Sequence, residues 1–273
     1  MKKILHLAFF LISITLVAQI TQPKPPGSSN GNSSSITTPK VPTTNTTTTT
    51  STKSISSDCV SGDCNNGFGK QEYGTGYYEG FFTNGMPNGP GYETYPNGYY
   101  LGFYNNGKRE GFGNYGWNDT KDLYRGMWKL NERDGYGYIL DGENLLKSAG
   151  IYRNSAITVN EGLDYINNVR STNCVGNCLD GYGAYTWENG DKYNGFFRNG
   201  KRVDFGTYAY PDGGMYHGQF SNGSRHGQGS YLWASGDFYI GGWSNGKRHG
   251  KGIYYYKNGT TKHGTWSEDT FIN

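Results

Sequence analysis

The stretch from Tyr193 to Trp266 decides the fold, because it repeats itself every 23 residues. In register it reads Y-N-G-F-F-R-N-G-K-R-V-D-F-G from Tyr193, Y-H-G-Q-F-S-N-G-S-R-H-G-Q-G from Tyr216, Y-I-G-G-W-S-N-G-K-R-H-G-K-G from Tyr239, and K-H-G-T-W from Lys262. Self-similarity at a fixed period is typical of an array in which each unit stacks on the next. The stretch therefore predicts a protein built from one repeated structural unit.

Each unit reads as a β-hairpin. Apolar and polar residues alternate on both sides of Asn222-Gly223. This pattern predicts two strands and a tight turn, because both residues of such a turn need a positive φ. Successive strand side chains point to opposite faces, so the rings should share one face with glycines that leave room for them. The rings are Tyr216, Phe220, Tyr231 and Trp233, and the glycines are Gly218, Gly229 and Gly241.

The pattern Y-x-G-x-[FW]-x-N-G-K-x-H-G-x-G, as in Tyr239 to Gly252, resembles the MORN (membrane occupation and recognition nexus) repeat. The resemblance implies an all-β protein: an elongated, single-layer antiparallel sheet of stacked β-hairpin repeats, curved like a half-pipe. It also implies a non-enzymatic role in scaffolding, dimerisation or lipid contact.

The N-terminal residues predict export and a tether. Residues 1–18 begin with two lysines and continue with an apolar run that is too short to span a membrane, which is typical of a secretory signal peptide. An uncleaved membrane anchor is the alternative. Residues 19–57 are rich in Ser, Thr and Pro and bury too little apolar surface to fold, so we expect a disordered linker.

Two repeat arrays follow the linker. The first covers 58–156 and the second covers 174–273, with a divergent insertion at 157–173 between them. In the insertion, Leu163, Ile166 and Val169 recur at three-residue spacing, which indicates a short helix or an irregular crossing. The insertion occupies about one repeat length, so we expect both arrays to continue in one stack.

Each array opens with a pair of cysteines, Cys59 and Cys64 in the first array and Cys174 and Cys178 in the second. An even number of cysteines in an exported chain favours disulfides. We expect a local disulfide within each pair, which would fix the open edge of its array. A four-cysteine zinc site is the alternative, although the pairs lack the C-x-x-C spacing.

The aromatic residues of the second array predict a binding face. Tyrosine alone supplies 25 residues of the chain, so burial relies on rings rather than on aliphatic side chains. A large apolar face on a single-layer sheet marks a partner, a ligand or self-association. The residues of this predicted face are Tyr193, Phe197, Tyr216, Phe220, Tyr231, Trp233, Tyr239, Trp243, Tyr254 and Trp266.

Basic residues recur beside the Asn-Gly turns and predict a basic rim. Its members are Lys201, Arg202, Arg225, His226, Lys247, Arg248 and His249. One interpretation is an edge that faces anionic lipid, an envelope glycan or an acidic partner. The other is a row of solvated turns, because Lys and Arg are common at exposed sheet edges.

The remaining motifs exclude several classes of function. A net charge of +3 is too small to indicate nucleic-acid binding. The sequence has no phosphate-binding loop, zinc-protease motif or nucleophile elbow, so we predict no catalytic residue, metal or cofactor. We therefore expect an exported, non-enzymatic scaffold in the periplasm, the cell envelope or the extracellular space. Its partner would be a protein or a second copy; anionic lipid or glycan is the alternative.

Overall fold

The computed structural model describes residues 58–162, 165 and 170–273. Over these ranges the chain forms 21 strands in two antiparallel sheets, and within each sheet every strand pairs with its neighbours in the sequence. The predicted signal peptide and linker lie outside the described residues, and so do Leu163, Ile166 and Val169 of the insertion. None of the described residues belongs to a helix that is long and apolar enough to cross a membrane.

The first sheet has ten strands: β1 (Asp58–Gly62), β2 (Phe68–Tyr73), β3 (Gly76–Thr83), β4 (Met86–Tyr95), β5 (Gly98–Asn105), β6 (Lys108–Trp117), β7 (Leu123–Lys129), β8 (Glu132–Leu140), β9 (Leu146–Arg153) and β10 (Ala156–Asn160). The second sheet has eleven strands: β11 (Arg170–Ser171), β12 (Cys174–Gly176), β13 (Gly181–Thr186), β14 (Lys192–Arg198), β15 (Lys201–Ala209), β16 (Met215–Ser221), β17 (Ser224–Leu232), β18 (Phe238–Ser244), β19 (Lys247–Tyr255), β20 (Thr261–Ser267) and β21 (Thr270–Phe271).

The Asn-Gly turns have the geometry that the sequence predicts. Asn222 and Gly223 have φ of 49° and 82°, so both residues adopt the left-handed conformation of a tight hairpin turn. The pairing of β16 with β17 then shifts between Gly218 and Phe220, which marks a β-bulge next to the turn. The same shift recurs in the other Asn-Gly hairpins of both sheets. The hairpin repeat is therefore confirmed.

The two sheets pack face to face through a core of apolar side chains. Phe112 of β6 and Phe205 of β15 are fully buried, and their ring centroids are 5.3 Å apart. Tyr138 of β8 packs 5.6 Å from Phe205, and Phe68 of β2 stacks 4.1 Å from His263 of β20. This core takes side chains from nearly the full length of both arrays.

Polar contacts also cross between the sheets. The backbone N–H of Phe112 donates to the Gln228 side-chain oxygen at 2.7 Å. At the end of the first array, Arg198 forms a salt bridge to Glu161 at 2.9 Å and donates to the Tyr136 hydroxyl at 2.5 Å. These bonds fix the position of one sheet on the other, because a buried polar group that loses its partner is costly.

Each array is an open, single-layer antiparallel sheet of hairpins, as predicted, but the prediction that both arrays continue in one stack was wrong. Strand β10 does not pair with β11, and the second array instead turns one face toward the first. The physical reason is that both faces of each sheet carry rings. A single layer would leave one set in water, whereas burying a phenylalanine stabilises a fold by about 1.5–3 kcal/mol.

Candidate functional site

All ten rings of the predicted binding face belong to one cluster of the second sheet, separate from the core between the sheets. Eight of the ten are buried, and only Trp233 and Tyr254 are partly exposed. The rings cover one another. The Tyr216 ring, for example, makes edge-to-face contacts with Phe220 of its own strand and with Trp243 of the next hairpin, at centroid distances of 5.1 and 5.2 Å. Most of the predicted face is thus a layer of buried rings packed against one another, which we call the floor.

Glycine makes this packing possible. The Tyr216 ring lies flat over Gly218 and Gly229, which are directly paired across β16 and β17. A Cβ at Gly229 would lie 2.4 Å from the Tyr216 hydroxyl oxygen, closer than any side chain tolerates. The hydroxyl donates to the Gln219 carbonyl at 2.9 Å, and burial raises the pKa of Tyr216 well above its usual value. The phenol is therefore a neutral structural group at any physiological pH.

The accessible rings, together with the buried Tyr231, form a continuous row beside the loops that join one hairpin to the next. We call this row the ring ladder. It contains two residues from each of β13, β15, β17 and β19 or from the loops after them, and neighbouring centroids are 4.5 to 5.8 Å apart. Its members are Tyr185, Trp187, Tyr208, Tyr210, Tyr231, Trp233, Tyr254 and Tyr256.

Sequence reasoning identified only Tyr231, Trp233 and Tyr254 of this ladder. The missed signal is the same period, since Tyr185 and Tyr208 precede Tyr231 at intervals of 23 residues. Seven of the eight ladder residues are less than fully buried, in contrast to the floor beneath them. The ladder is therefore the part of the aromatic face that a partner can reach.

Acidic residues in the connecting loops hold the ladder tyrosines. The Tyr208 hydroxyl donates to Asp191 at 2.7 Å, and the Tyr254 hydroxyl donates to Asp237 at 3.0 Å. Burial, followed by the hydrogen bond and charge of Asp191, raises the pKa of Tyr208 to about 12. These hydroxyls keep their protons, and the carboxylates retain acceptor capacity toward a ligand.

The first sheet lacks a continuous ladder. In the second sheet, ladder rings pair with the buried tyrosines across neighbouring strands. The corresponding buried tyrosines of the first sheet, Tyr78, Tyr100 and Tyr124, pair instead with Gln71, Glu93 and Tyr115. Glu93 stands where the second sheet has a ring, and it accepts hydrogen bonds from the hydroxyls of Tyr73, Tyr95 and Tyr104. Two of the three ring positions are therefore filled by polar side chains, and the row is interrupted.

The arginines of the predicted basic rim lie over the rings. The Arg225 guanidinium is 4.7 Å from the Trp243 ring and 5.2 Å from the Tyr231 ring, and it donates to the Gly246 carbonyl of the next turn. Arg202 bonds the Gly223 carbonyl in the same way, and Arg248 bonds Asp269 at the last turn. Each arginine thus ties one hairpin to the next through a planar group that both stacks and donates.

The other members of the basic rim are exposed. They are Lys201, His226, Lys247 and His249. Lys247 forms a salt bridge to Glu268 at 2.9 Å, but both side chains are more than half exposed, and such pairs contribute little to stability. The structure therefore divides the rim into arginines that hold hairpins together and a sparse set of solvated cations.

Both predicted disulfides are confirmed. Cys59 is bonded to Cys64 with a Cα–Cα distance of 5.8 Å, and Cys174 is bonded to Cys178 with a distance of 6.2 Å. Each lies at the first hairpin of its sheet and packs against a glycine, Gly69 or Gly183, where a repeat would otherwise supply a ring. With all four sulfurs paired, the four-cysteine zinc site is excluded.

Comparison with known proteins identifies the repeat. The family model described as MORN repeat matches seven segments, namely 78–98, 100–120, 124–139, 179–192, 193–215, 216–238 and 239–261. The chain belongs to the MORN repeat family. The matched MORN segments coincide with the hairpins of both sheets, including the four that carry the ring ladder.

Among solved structures, the chain matches the crystal structure of the TCP10c domain of Drosophila melanogaster Sas-4. The identity is 11%, the match covers 77% of this chain and 99% of that one, and the TM-score is 0.21. No curated protein matches the chain. MORN repeats commonly mediate protein or lipid interactions.

Proposed function

We propose that this MORN repeat chain is an exported, non-enzymatic scaffold that binds a protein partner, or a second copy of itself, along the aromatic face of its second sheet. The observation that carries the proposal is the ring ladder: eight rings in unbroken contact across four hairpins, with the opposite face of the sheet occupied by the first sheet. Partly exposed Tyr and Trp residues are the side chains that anchor protein interfaces most often.

The rigidity of this face favours binding. All ladder rings except Tyr256 belong to the buried aromatic cluster or pack against it, and arginines and loop carboxylates restrain several of them from the side. A partner that binds rings already held in place loses less conformational entropy than one that must order them. This arrangement suits recognition rather than catalysis, and MORN repeats are generally non-enzymatic.

The alternative, peripheral binding to anionic lipid or envelope glycan through the basic rim, has less support from the geometry. Arg202, Arg225 and Arg248 are held over rings and bonded to the next turn, so their charges are not free to follow a headgroup surface. The exposed lysines and histidines that remain are too few to provide strong attraction, since each cation near such a surface contributes about 1 kcal/mol.

Location outside the cytoplasm, in the periplasm, the cell envelope or the extracellular space, is part of the proposal. It rests on the charged and apolar start of residues 1–18 and on four cysteines arranged as local pairs. The two disulfides agree with an oxidising compartment.

The proposed face is tested by replacing Tyr210 with a photo-crosslinking amino acid and irradiating the cells that produce the protein. We expect position 210 to form adducts with one protein, whereas position 95 of the first sheet, where Glu93 interrupts the ring row, forms none. Equal labelling from both positions, or none from 210, would refute the proposed face. Light scattering over a concentration series distinguishes a second copy from a different partner.

A further inference from the structure

The ring ladder begins at a cavity. The cavity has a volume of about 430 Å³ and lies at the first full hairpin of the second sheet, where β12 has only three residues and cannot cover the rings. Tyr185, Trp187 and Tyr208 form its apolar lining. Its polar lining consists of Asn173, Glu188, Asn189, Asp191 and Arg202. A ligand that enters here meets both aromatic faces and hydrogen-bonding groups, and it can continue along the ladder.

The spacing of the ladder restricts what that ligand can be. Neighbouring strands are about 4.8 Å apart, so equivalent rings of successive hairpins are about 9.6 Å apart. A polyproline II helix has three residues per turn and rises about 3.1 Å per residue, which gives about 9.3 Å per turn. Every third residue of such a helix, laid across the strands, would therefore reach the same position on each hairpin.

Other backbone conformations do not fit this spacing. An extended strand repeats its side-chain direction after two residues, or about 6.6 Å. An α-helix has a pitch of 5.4 Å. Over four hairpins both would lose register with the rings, whereas the polyproline II helix drifts by only about 1 Å.

The chemistry of the ladder agrees with the spacing. Proline rings pack well against aromatic rings, and proline-rich segments are recognised by aromatic-lined grooves. The polyproline II backbone leaves its carbonyls unpaired. Trp187 and Trp233 are only half-buried and can donate indole N–H bonds to such carbonyls. Glu188 and Asp212 are exposed beside the rings, where each can pair with a basic residue between the prolines. The guanidinium of Arg202 also lines the cavity and opposes such a residue there, but it is bonded to the Gly223 carbonyl and lies over the Tyr208 ring.

We propose that the ring ladder binds a proline-rich protein segment in the polyproline II conformation, with prolines three residues apart and basic residues between them, lying across β13, β15, β17 and β19. This inference rests on the proposed function and names the chemistry of the partner. The segment enters at the cavity beside Trp187, and one proline packs against the rings of each following hairpin.

The test uses the chain from residue 19 onward. The chain itself contains P-x-x-P at Pro23–Pro26 and Pro39–Pro42, so all its linker prolines are replaced by alanine to remove internal competition. The probe is a fluorescent peptide made of five Pro-Lys-Val triplets, and binding is followed by anisotropy. We expect saturable binding, and about tenfold weaker binding of a peptide with the same composition but without the three-residue spacing.

Variants locate the binding site. Trp187→Ala is expected to weaken binding about tenfold, and Trp117→Ala, at the matching position of the first sheet, to leave it within twofold. Tyr256→Ala removes an exposed ring from the far end of the ladder without disturbing the fold, and it should weaken binding of the five-triplet peptide but not of a two-triplet peptide.

Equal binding of the spaced and shuffled peptides, or binding that does not change with Trp187→Ala and Tyr256→Ala, would overturn the inference. So would a cello-oligosaccharide that binds at Trp187 in place of the peptide. A protein crosslinked from position 210 that has no proline-rich segment would overturn this inference alone and leave the proposed function standing.

Discussion

The packing of Phe112 against Phe205 can be measured as a coupling between the two sheets. Both side chains are fully buried; the Phe112 ring contacts Phe205, and the Phe205 ring contacts both Phe112 and Tyr138 of the opposite sheet. Truncation of a buried phenylalanine to alanine costs about 3–5 kcal/mol, because it removes buried apolar area and leaves a cavity. In a single-layer sheet the same ring would face water, and its truncation would change stability by about 0.5 kcal/mol or less.

The double variant distinguishes two sheets packed face to face from a single-layer sheet. Rings in contact at 5.3 Å share part of their stabilisation, so the loss in the Phe112→Ala, Phe205→Ala double variant should differ from the sum of the two single losses by about 0.5–3 kcal/mol. The control pairs Phe112→Ala with Phe220→Ala. Phe220 lies in the aromatic cluster of the second sheet rather than in the core between the sheets, so this pair should be additive.

The assay is equilibrium unfolding in urea, followed by far-ultraviolet circular dichroism. For a slope of about 3 kcal/mol per molar urea, each single variant lowers the midpoint by about 1–2 M. Additive losses for Phe112 and Phe205, or single losses near 0.5 kcal/mol, would show that the sheets do not pack through these rings.

Three further predictions concern other parts of the fold. His217 is buried beside Arg125, and its burial together with that charge holds the pKa of His217 well below its usual value. Below pH 6.5 only the unfolded chain binds this proton, so the free energy of unfolding should fall by about 1 kcal/mol between pH 7 and 5.5. His217→Gln should remove most of this fall, and the remainder comes from His263, whose pKa is also lowered by burial. Arg225→Lys should lower the free energy of unfolding by about 1–2 kcal/mol in the same urea assay, because Lys cannot both stack on Trp243 and bond the next turn. The exposed control Lys247→Ala should lower it by less than about 0.5 kcal/mol, and equal losses would contradict the structural role of the arginine. Removal of the Cys59–Cys64 disulfide by replacing both cysteines with alanine should cost at most about 2 kcal/mol, since the closed loop is short. It should speed amide exchange in β1, while the second sheet keeps its protection.

Much of the fold could be predicted because its determinants are local. An Asn-Gly turn specifies a hairpin through the φ of two adjacent residues, and the alternation around it sets the two faces. A glycine opposite a ring, as Gly229 lies opposite Tyr216, is equally local, since the two strands of one hairpin bring them together. The cysteine pairs are four and five residues apart and are near each other in any compact conformation.

The candidate site was harder to predict because exposure is not a local property. The rings of Tyr193 and Trp233 look alike in the sequence, yet Tyr193 is completely buried and Trp233 is not. Their difference depends on which neighbouring hairpin covers each ring. Likewise, Lys247 and Arg248 are adjacent after one Asn-Gly turn, but Lys247 is exposed, whereas Arg248 lies over the Trp266 ring of the next hairpin.

The sequence alone determined the hairpin, its period, its family and the two disulfides, since these depend on contacts between residues close in the chain. The tertiary structure alone decided that the arrays form two sheets, that one face of each is sealed against the other, and that the accessible rings form a ladder. Those outcomes depend on the packing of Phe112 against Phe205 and similar pairs. Residues nearly a hundred positions apart meet there, and their pairing follows from the burial of whole sheet faces rather than from any local pattern.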